Sequence, residues 1–113
     1  MTDQPLGYPY EDTLRSTFPQ LHAAQNEWLG AIDSLTTPDR KTHHLIRLAC
    51  VVILRNEPGI ERQARLAREV GASWAEIVGT VLLTQPGFGV LPAVHALPFA
   101  RKGFDSAEPA ETD

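Results

Sequence analysis

The sequence has only one cysteine, Cys50, among its 113 residues. A lone thiol excludes an internal disulfide and every redox or zinc motif that is built on a cysteine pair. A phosphate-binding loop is also missing, because the run from Gly87 to Gly89 lacks the third glycine and the flanking strand of a dinucleotide site. The four histidines do not share a helical face with the rest of a metal-ligand set. We therefore expect neither a metal nor another cofactor.

Positive charge is sparse and scattered. Ten Lys and Arg residues against fourteen Asp and Glu residues leave a net charge of −4, without the contiguous basic surface that nucleic acids require. No apolar run approaches the roughly 20 residues of a membrane span, and residues 1–10 are polar and broken by proline, unlike a signal peptide. The sequence therefore predicts a cytoplasmic protein with no nucleic-acid or membrane partner.

The chain length predicts one domain. Hydrophobic residues make up 42% and charged residues 21% of the chain, both typical of a globular protein. Prolines and a glycine interrupt residues 1–17, which we predict to form an N-terminal arm. Residues 18–103 are predicted to form a helical domain, and residues 104–113 a disordered acidic tail.

The spacing of apolar residues predicts an all-α fold, a compact bundle of about five helices. Two helix starts are indicated by Thr37 with Pro38 and by Ser73 with Glu76, which fits a capping box. The five predicted helices begin near residues 19, 37, 60, 73 and 88 and end near residues 34, 55, 70, 84 and 103. Residues 45–54 of the second helix are apolar nearly all round, which favours a central helix and a homo-oligomer.

Several segments, in their order and separation, resemble the carboxymuconolactone decarboxylase family. They begin with Asp39-Arg40-Lys41-Thr42 and continue with 45–49, 60–65, 70–77, 81–83 and 92–96. The resemblance covers roughly residues 19–103. It implies a helical bundle of the alkyl hydroperoxidase D-like type, assembled as a trimer or hexamer.

The peroxidase branch of that superfamily, typified by alkyl hydroperoxidase D, uses a glutamate, a C-x-x-C pair and a histidine. The resemblance places His44, Asn56, Gly59 and Gln63 at those four positions. Peroxide reduction needs an attacking thiolate and a resolving thiol, which Asn and Gly cannot supply. Cys50 lies in the apolar middle of the predicted central helix, where we expect it to be buried and structural. The resemblance thus implies the decarboxylase-like branch and excludes a thiol peroxidase.

Two histidines are the candidate catalytic residues, since imidazole is the side chain best matched to proton transfer near neutral pH. His95 lies among apolar residues at the start of the last helix, and the decarboxylases that it resembles have a histidine in a similar place. His44 takes the place of the peroxidase glutamate. Each has a structural alternative: His95 as a hydrogen-bonded core histidine, and His44 as a polar group at the first turns of its helix.

Five further residues are candidates for substrate binding: Arg55, Asn56, Glu57, Gln63 and Phe88. The two amides could hydrogen-bond a carbonyl or carboxylate, the guanidinium suits an acidic ligand, and the aromatic ring could line a pocket. Their structural alternatives are backbone hydrogen bonds, surface charge and core packing. Glu57 flanks the turn at which the peroxidases carry their thiols.

The sequence therefore predicts a cofactor-free acid–base enzyme, a lyase of the decarboxylase type or an isomerase. Its expected substrate is a small carboxylated, lactone-like or polyketide-like molecule. The alternative is a non-catalytic ligand-binding or assembly subunit that retains the scaffold. An enzyme requires His44 or His95 in a concave pocket, whereas a scaffold requires only a buried central helix.

Overall fold

The computed structural model describes residues 10–108, and all regular structure in that range is helical. The predicted all-α class is confirmed. The helices of this range are α1 (Glu11–Thr17), α2 (Pro19–Asp33), α3 (Arg40–Ile53), α4 (Glu57–Glu69), α5 (Trp74–Leu82), α6 (Gln85–Phe88) and α7 (Val90–Ser106). Two short helices, α1 and α6, thus join the five that were predicted. No helix within residues 10–108 is long and apolar enough to cross a membrane.

The chain divides into two compact units, Met1–Leu35 and Thr36–Asp113. The first contains α1, which lies inside the predicted arm, and α2, whose observed bounds confirm the predicted first helix. The second contains α3 to α7, and α7 continues to Ser106, into the predicted tail. What the sequence predicts for residues 1–9 and 109–113 lies outside the described residues.

A buried polar cluster joins the two helices of the first unit. The carboxylate of Glu11 accepts hydrogen bonds from Nε2 of His22 at 2.7 Å and from Nδ2 of Asn26 at 3.3 Å. All three side chains are buried. A buried carboxylate requires such partners, because desolvation of an unpaired charge costs several kcal/mol, on the order of the whole stability of a small unit.

The start of α3 differs from the prediction. Asp39, not Thr37, is the N-cap, and its carboxylate accepts from the backbone N–H of Thr42 at 3.4 Å and from the Thr42 hydroxyl at 2.6 Å. These bonds hold the pKa of Asp39 below its usual range. The N-cap preference of Asp places the first helical residue at Arg40, so proline lies outside the helix and not in its first turn.

The next two helix starts show how side chains set the boundaries. Asn56 caps α4 through a hydrogen bond from the backbone N–H of Gly59 to its Oδ1, at 3.1 Å, so the helix begins three residues before the predicted Ile60. Ser73 and Glu76 form the predicted capping box at the start of α5, with both hydrogen bonds at 3.0 Å. Capping by Asn was the signal that the prediction missed.

The core of the second unit is built around α4, which packs against α3 on one side and α7 on the other. Both helices carry small buried residues, which are Ala64 and Ala67 on α4 and Ala93, Ala96, Ala100 and Gly103 on α7. A side chain at Gly103 would overlap the backbone carbonyl of Glu61. The backbones of the two helices therefore approach more closely than larger residues would allow.

Burial of α3 is one-sided. Leu48 and Val52 are fully buried, whereas Ile46 is 52% and Leu54 is 73% exposed. Cys50 is also exposed, so its predicted burial is wrong. The physical reason is helical geometry: Cys50 lies two residues, or about 200°, from both Leu48 and Val52, and so points away from the core that they occupy.

Candidate functional site

His44 lies on α3 and faces α4. Its Nδ1 is 3.0 Å from Oε1 of Gln63, and its Nε2 is 3.4 Å from a guanidinium nitrogen of Arg40, one turn earlier. Both His44 and Gln63 are only 4% exposed. The two residues that the resemblance placed at the ends of the peroxidase relay are therefore in direct contact.

These partners define the protonation state of His44. A guanidinium has no acceptor, so Nε2 carries the lone pair, and the proton on Nδ1 is donated to the Gln63 oxygen. Burial lowers the pKa of His44, with smaller contributions from His43 and the nearby arginines, while the bond to Gln63 opposes the shift. His44 is thus a neutral, buried imidazole whose two nitrogens are both occupied.

His43 extends this arrangement along α3. Its Nε2 is 3.3 Å from a guanidinium nitrogen of Arg47, one turn later, and its ring meets that of His44 edge to face at 4.8 Å between centroids. Each imidazole is therefore paired with an arginine four residues away on the same helix. Sequence reasoning missed both pairs, although their i, i+4 spacing was visible.

The pair formed by His95 and Glu57 is more exposed to solvent than the pair formed by His44 and Gln63. Nε2 of His95 on α7 donates to Oε2 of Glu57, the first residue of α4, at 2.8 Å. The side chains are 28% and 50% exposed, respectively. Nδ1 of His95 is itself buried and has no hydrogen-bond partner among residues 10–108, and the ring lies against Phe99 at 5.3 Å between centroids.

The tautomer of His95 follows from its partner. An ionised carboxylate only accepts, so the proton of the neutral imidazole is on Nε2, and Nδ1 keeps its lone pair. The carboxylate therefore fixes both the orientation and the tautomer of the ring.

The two pairs are separate sites that share α4. Among the described residues, His44 makes hydrogen bonds or ring contacts with Gln63, Arg40 and His43, whereas His95 makes them with Glu57 and Phe99. Glu57 and Gln63 are six residues apart, which turns their side chains to different sides of the helix and separates them by about 9 Å along its axis. The candidate residues therefore form two polar pairs on different faces of α4.

The remaining candidates serve other purposes or lie elsewhere. Asn56 uses its side-chain oxygen as the N-cap of α4. Arg55 is exposed and has a φ of 53°, in the left-handed region, at the turn between α3 and α4. Phe88 is 57% exposed and lines a groove. Among residues 10–108, no side-chain hydrogen bond, ion pair or ring contact joins any of these three to His44, Gln63, His95 or Glu57.

The groove that contains Phe88 lies between α3, α5 and α6, with a volume of about 420 Å³. Seven of its residues are apolar and three are threonines; they are Thr42, Leu45, Ile46, Ala49, Ile53, Thr80, Leu83, Thr84, Gly87 and Phe88. Neither His44 nor His95 lines it. Sequence reasoning missed the threonines, whose only signal was their place among apolar residues on α3, on α5 and at the start of α6.

Among residues 10–108 there is no group of three or more His, Cys, Asp or Glu side chains arranged to hold a metal ion.

The buried cluster of Glu11, His22 and Asn26 was also missed by sequence reasoning, because Glu11 is remote in sequence from the other two. We interpret it as structural, since its three side chains are buried and hydrogen-bonded to one another.

No family model, curated protein or solved structure matches this chain.

Proposed function

We propose that this protein is a cofactor-free acid–base enzyme in which His95 is the catalytic base and Glu57 orients it. One observation carries the proposal: the Nε2 proton of His95 is committed to the Glu57 carboxylate at 2.8 Å, while Nδ1 keeps a lone pair with no partner among the described residues. Unpaired buried polar atoms are rare, and a catalytic role is one of the explanations for those that occur.

The reaction that this arrangement supports is a proton transfer. Nδ1 of His95 removes a proton from carbon or oxygen of the substrate, and the imidazolium so formed is stabilised by Glu57. The same proton is then returned to another atom of the substrate, which gives a double-bond isomerisation, or to the carbanion left by loss of carbon dioxide, which gives a decarboxylation. Substrate entry has to uncover Nδ1, so the Phe99 ring beside it is the group expected to move.

His44 has a different role in this proposal. Both of its nitrogens are occupied and the residue is 4% exposed, so it cannot reach a substrate without opening of the core. We assign it to positioning α3 against α4. The resemblance to the carboxymuconolactone decarboxylase family is part of the proposal and favours small carboxylated, lactone-like or polyketide-like substrates.

The test is solvent deuterium exchange. The protein is incubated in D₂O with a panel of β-keto acids and unsaturated lactones, and proton NMR follows loss of substrate protons, double-bond migration and decarboxylation. We expect His95→Gln and Glu57→Gln to slow the reaction by about a hundredfold or more. Unchanged rates in both variants contradict the proposal.

The structure provides a matched control. Glu61 on α4 pairs with Lys102 on α7 at 3.7 Å, so it bridges the same two helices one turn along from Glu57. Glu61→Gln removes a comparable carboxylate without touching His95. We expect this variant to keep the wild-type rate, which separates a catalytic effect from weakened packing of α4 on α7.

The alternative, a non-catalytic ligand-binding or assembly subunit, is favoured by the apolar groove, which contains neither histidine pair. If the wild-type protein exchanges no protons in any substrate of the panel, the alternative becomes the better description.

A homo-oligomer, a trimer or hexamer, also belongs to the proposal. It is supported by three large apolar residues at the start of α7, Val90, Leu91 and Val94, which are 57%, 70% and 57% exposed. Exposed apolar patches of this kind are typical of subunit contacts. Light scattering at micromolar concentration tests it: a monomeric mass for the wild type excludes the oligomer, and Leu91→Asp is expected to lower the mass.

A further inference from the structure

We infer that the groove between α3, α5 and α6 binds a small, neutral, largely apolar molecule through a hydroxyl group that donates a hydrogen bond to the protein. The groove shares no residue with the His95–Glu57 pair, so the inference does not depend on the acid–base proposal. It concerns the chemical class of a ligand at a second site.

The size of the groove favours a small molecule over a protein partner. Its volume of about 420 Å³ falls within the range of roughly 300–1,000 Å³ that is typical of small-molecule sites. Ten residues line it, whereas each side of a stable protein interface contributes roughly 20–30 residues. A second copy seated here alone would bury too little surface to remain bound.

The three threonines decide which polar group the ligand carries. The hydroxyl of Thr42 donates to the Asp39 carboxylate at 2.6 Å. The hydroxyl of Thr80 donates to the carbonyl of Glu76 at 2.8 Å. Each hydroxyl has a single proton, so both of these are already committed.

Thr84 behaves in the same way, because its hydroxyl donates to the carbonyl of Val81 at 2.7 Å. None of the three hydroxyls therefore has a proton to donate to a ligand, whereas each oxygen keeps lone-pair capacity as an acceptor. A ligand carbonyl or ether oxygen would find no donor among the side chains of the groove, whereas a ligand hydroxyl would find an acceptor.

The lining also argues against a charged ligand. None of the ten residues is charged, and the rim is formed by exposed apolar side chains, among them Ile46, Leu83 and Phe88, which are 52%, 79% and 57% exposed. A carboxylate entering this groove would lose water without gaining a cation or a hydrogen-bond donor from its side chains. Neutral alcohols and phenols with an apolar body are the class that remains.

The experiment compares three probes that share a para-butylphenyl body and differ in their polar group: para-butylphenol, its methyl ether and para-butylbenzoate. Methyl NMR of protein labelled at Ala, Ile and Leu follows each titration. We expect the phenol to shift the methyls of Ala49 and Ile53 and to leave the core methyls of Leu48 and Ala93 unchanged. The methyl ether should bind about three- to tenfold more weakly, the difference made by one neutral hydrogen bond, and the benzoate more weakly still.

Variants locate the hydrogen bond. Thr42→Val, Thr80→Val and Thr84→Val each replace a hydroxyl by a methyl of similar size, and at least one of them should bring the phenol-to-ether ratio close to one. Thr17→Val, at an exposed position on α1, is the matched control and should leave the ratio unchanged. Circular dichroism checks that each variant folds. Because there are three separate variants, the test remains decisive if one of them folds poorly.

Four outcomes overturn the inference. They are no ligand-dependent shift in the groove, equal affinity for phenol and ether, a ratio unaffected in all three folded variants, and groove methyls that respond to protein dilution instead of to ligand. The last would identify a second copy as the occupant. Because no histidine is involved, none of these results affects the deuterium-exchange test.

Discussion

His44 and Gln63 are joined by a buried hydrogen bond of 3.0 Å that runs from Nδ1 of the imidazole to the side-chain oxygen of the amide. With Arg40 facing Nε2, this bond fixes His44 as a neutral side chain between α3 and α4. The folded protein therefore favours the neutral form of His44, and its free energy of unfolding should depend on pH for that reason.

Acid is expected to destabilise the protein through His44. The folded-state pKa of His44 is lowered by burial, so below the unfolded-state value of about 6.5 the unfolded chain binds more protons than the folded one. Stability is therefore full above that pH and falls as the pH decreases, by at most about 1.4 kcal/mol per pH unit for one proton. Urea unfolding at several pH values between 7.5 and 5.5 measures this slope.

The matched variant for that measurement is His44→Asn, which keeps a donor toward Gln63 but does not titrate. Its unfolding free energy should change less between pH 7.5 and 5.5 than that of the wild type. Equal slopes in the two proteins would show that protonation of His44 does not control the acid response. Asp39 and Glu76, whose pKa values are lowered by hydrogen bonds at helix starts, act only in a more acidic range, below about pH 4.5.

Loss of the Gln63 amide should cost more than loss of a surface side chain. Gln63→Leu leaves the Nδ1 proton of His44 buried without an acceptor, which is expected to lower the free energy of unfolding by about 1–3 kcal/mol. In a His44→Phe background the same change should cost less, because no donor remains to be left unpaired. The double-mutant cycle by urea unfolding at pH 7.5 measures the difference, and additive effects would contradict the proposed coupling.

Gly103 should not tolerate a side chain. In Gly103→Ala the new methyl group would overlap the backbone of Glu61, so α7 has to move away from α4, and we expect a loss of about 3 kcal/mol or more. Gly79→Ala is the control, since nothing lies within 4 Å of a methyl group there and the residue is inside α5. That change should stabilise the protein by about 0.5–1 kcal/mol. Thermal unfolding of both variants distinguishes the two effects, and a stable Gly103→Ala would refute the close approach.

Cys50 should react in the native state. It is exposed on α3 between Ile46 and Leu54, which are one turn away on either side and are themselves exposed. We expect one equivalent of thiol to be titrated by a disulfide reagent without denaturant, at a rate close to that of the unfolded protein. Protection that disappears on dilution would show that a second copy covers this side of α3.

The sequence predicted the helical class, the first helix and the capping box of α5, because each follows from local spacing or from one short motif. It misplaced the starts of α3 and α4, which are capped by Asp39 and Asn56. The nearby Pro38 and Pro58 obscured these two caps. The burial of Cys50 was predicted wrongly because composition alone does not say which side of a helix meets its neighbours.

For the candidate site, the sequence identified both histidines and both of their cross-helix partners, but it did not pair them. Glu57 and His95 are 38 residues apart, and only the packing of α7 on α4 brings them to 2.8 Å. The resemblance identified His44 and Gln63 as site positions, but it did not predict the hydrogen bond between them. The groove between α3, α5 and α6 was not predicted, since its three threonines come together only when α3 packs beside α5 and the start of α6.

Because α4 supplies Glu57 to one histidine and Gln63 to the other, the six-residue interval between them is under two constraints at once. One inserted or deleted residue within that interval would rotate Gln63 by about 100° relative to Glu57 and shift it by about 1.5 Å. No single adjustment of the helix would then satisfy both partners. Length variation among natural variants of this chain should consequently fall in the turns on either side of α4 and leave this interval unchanged.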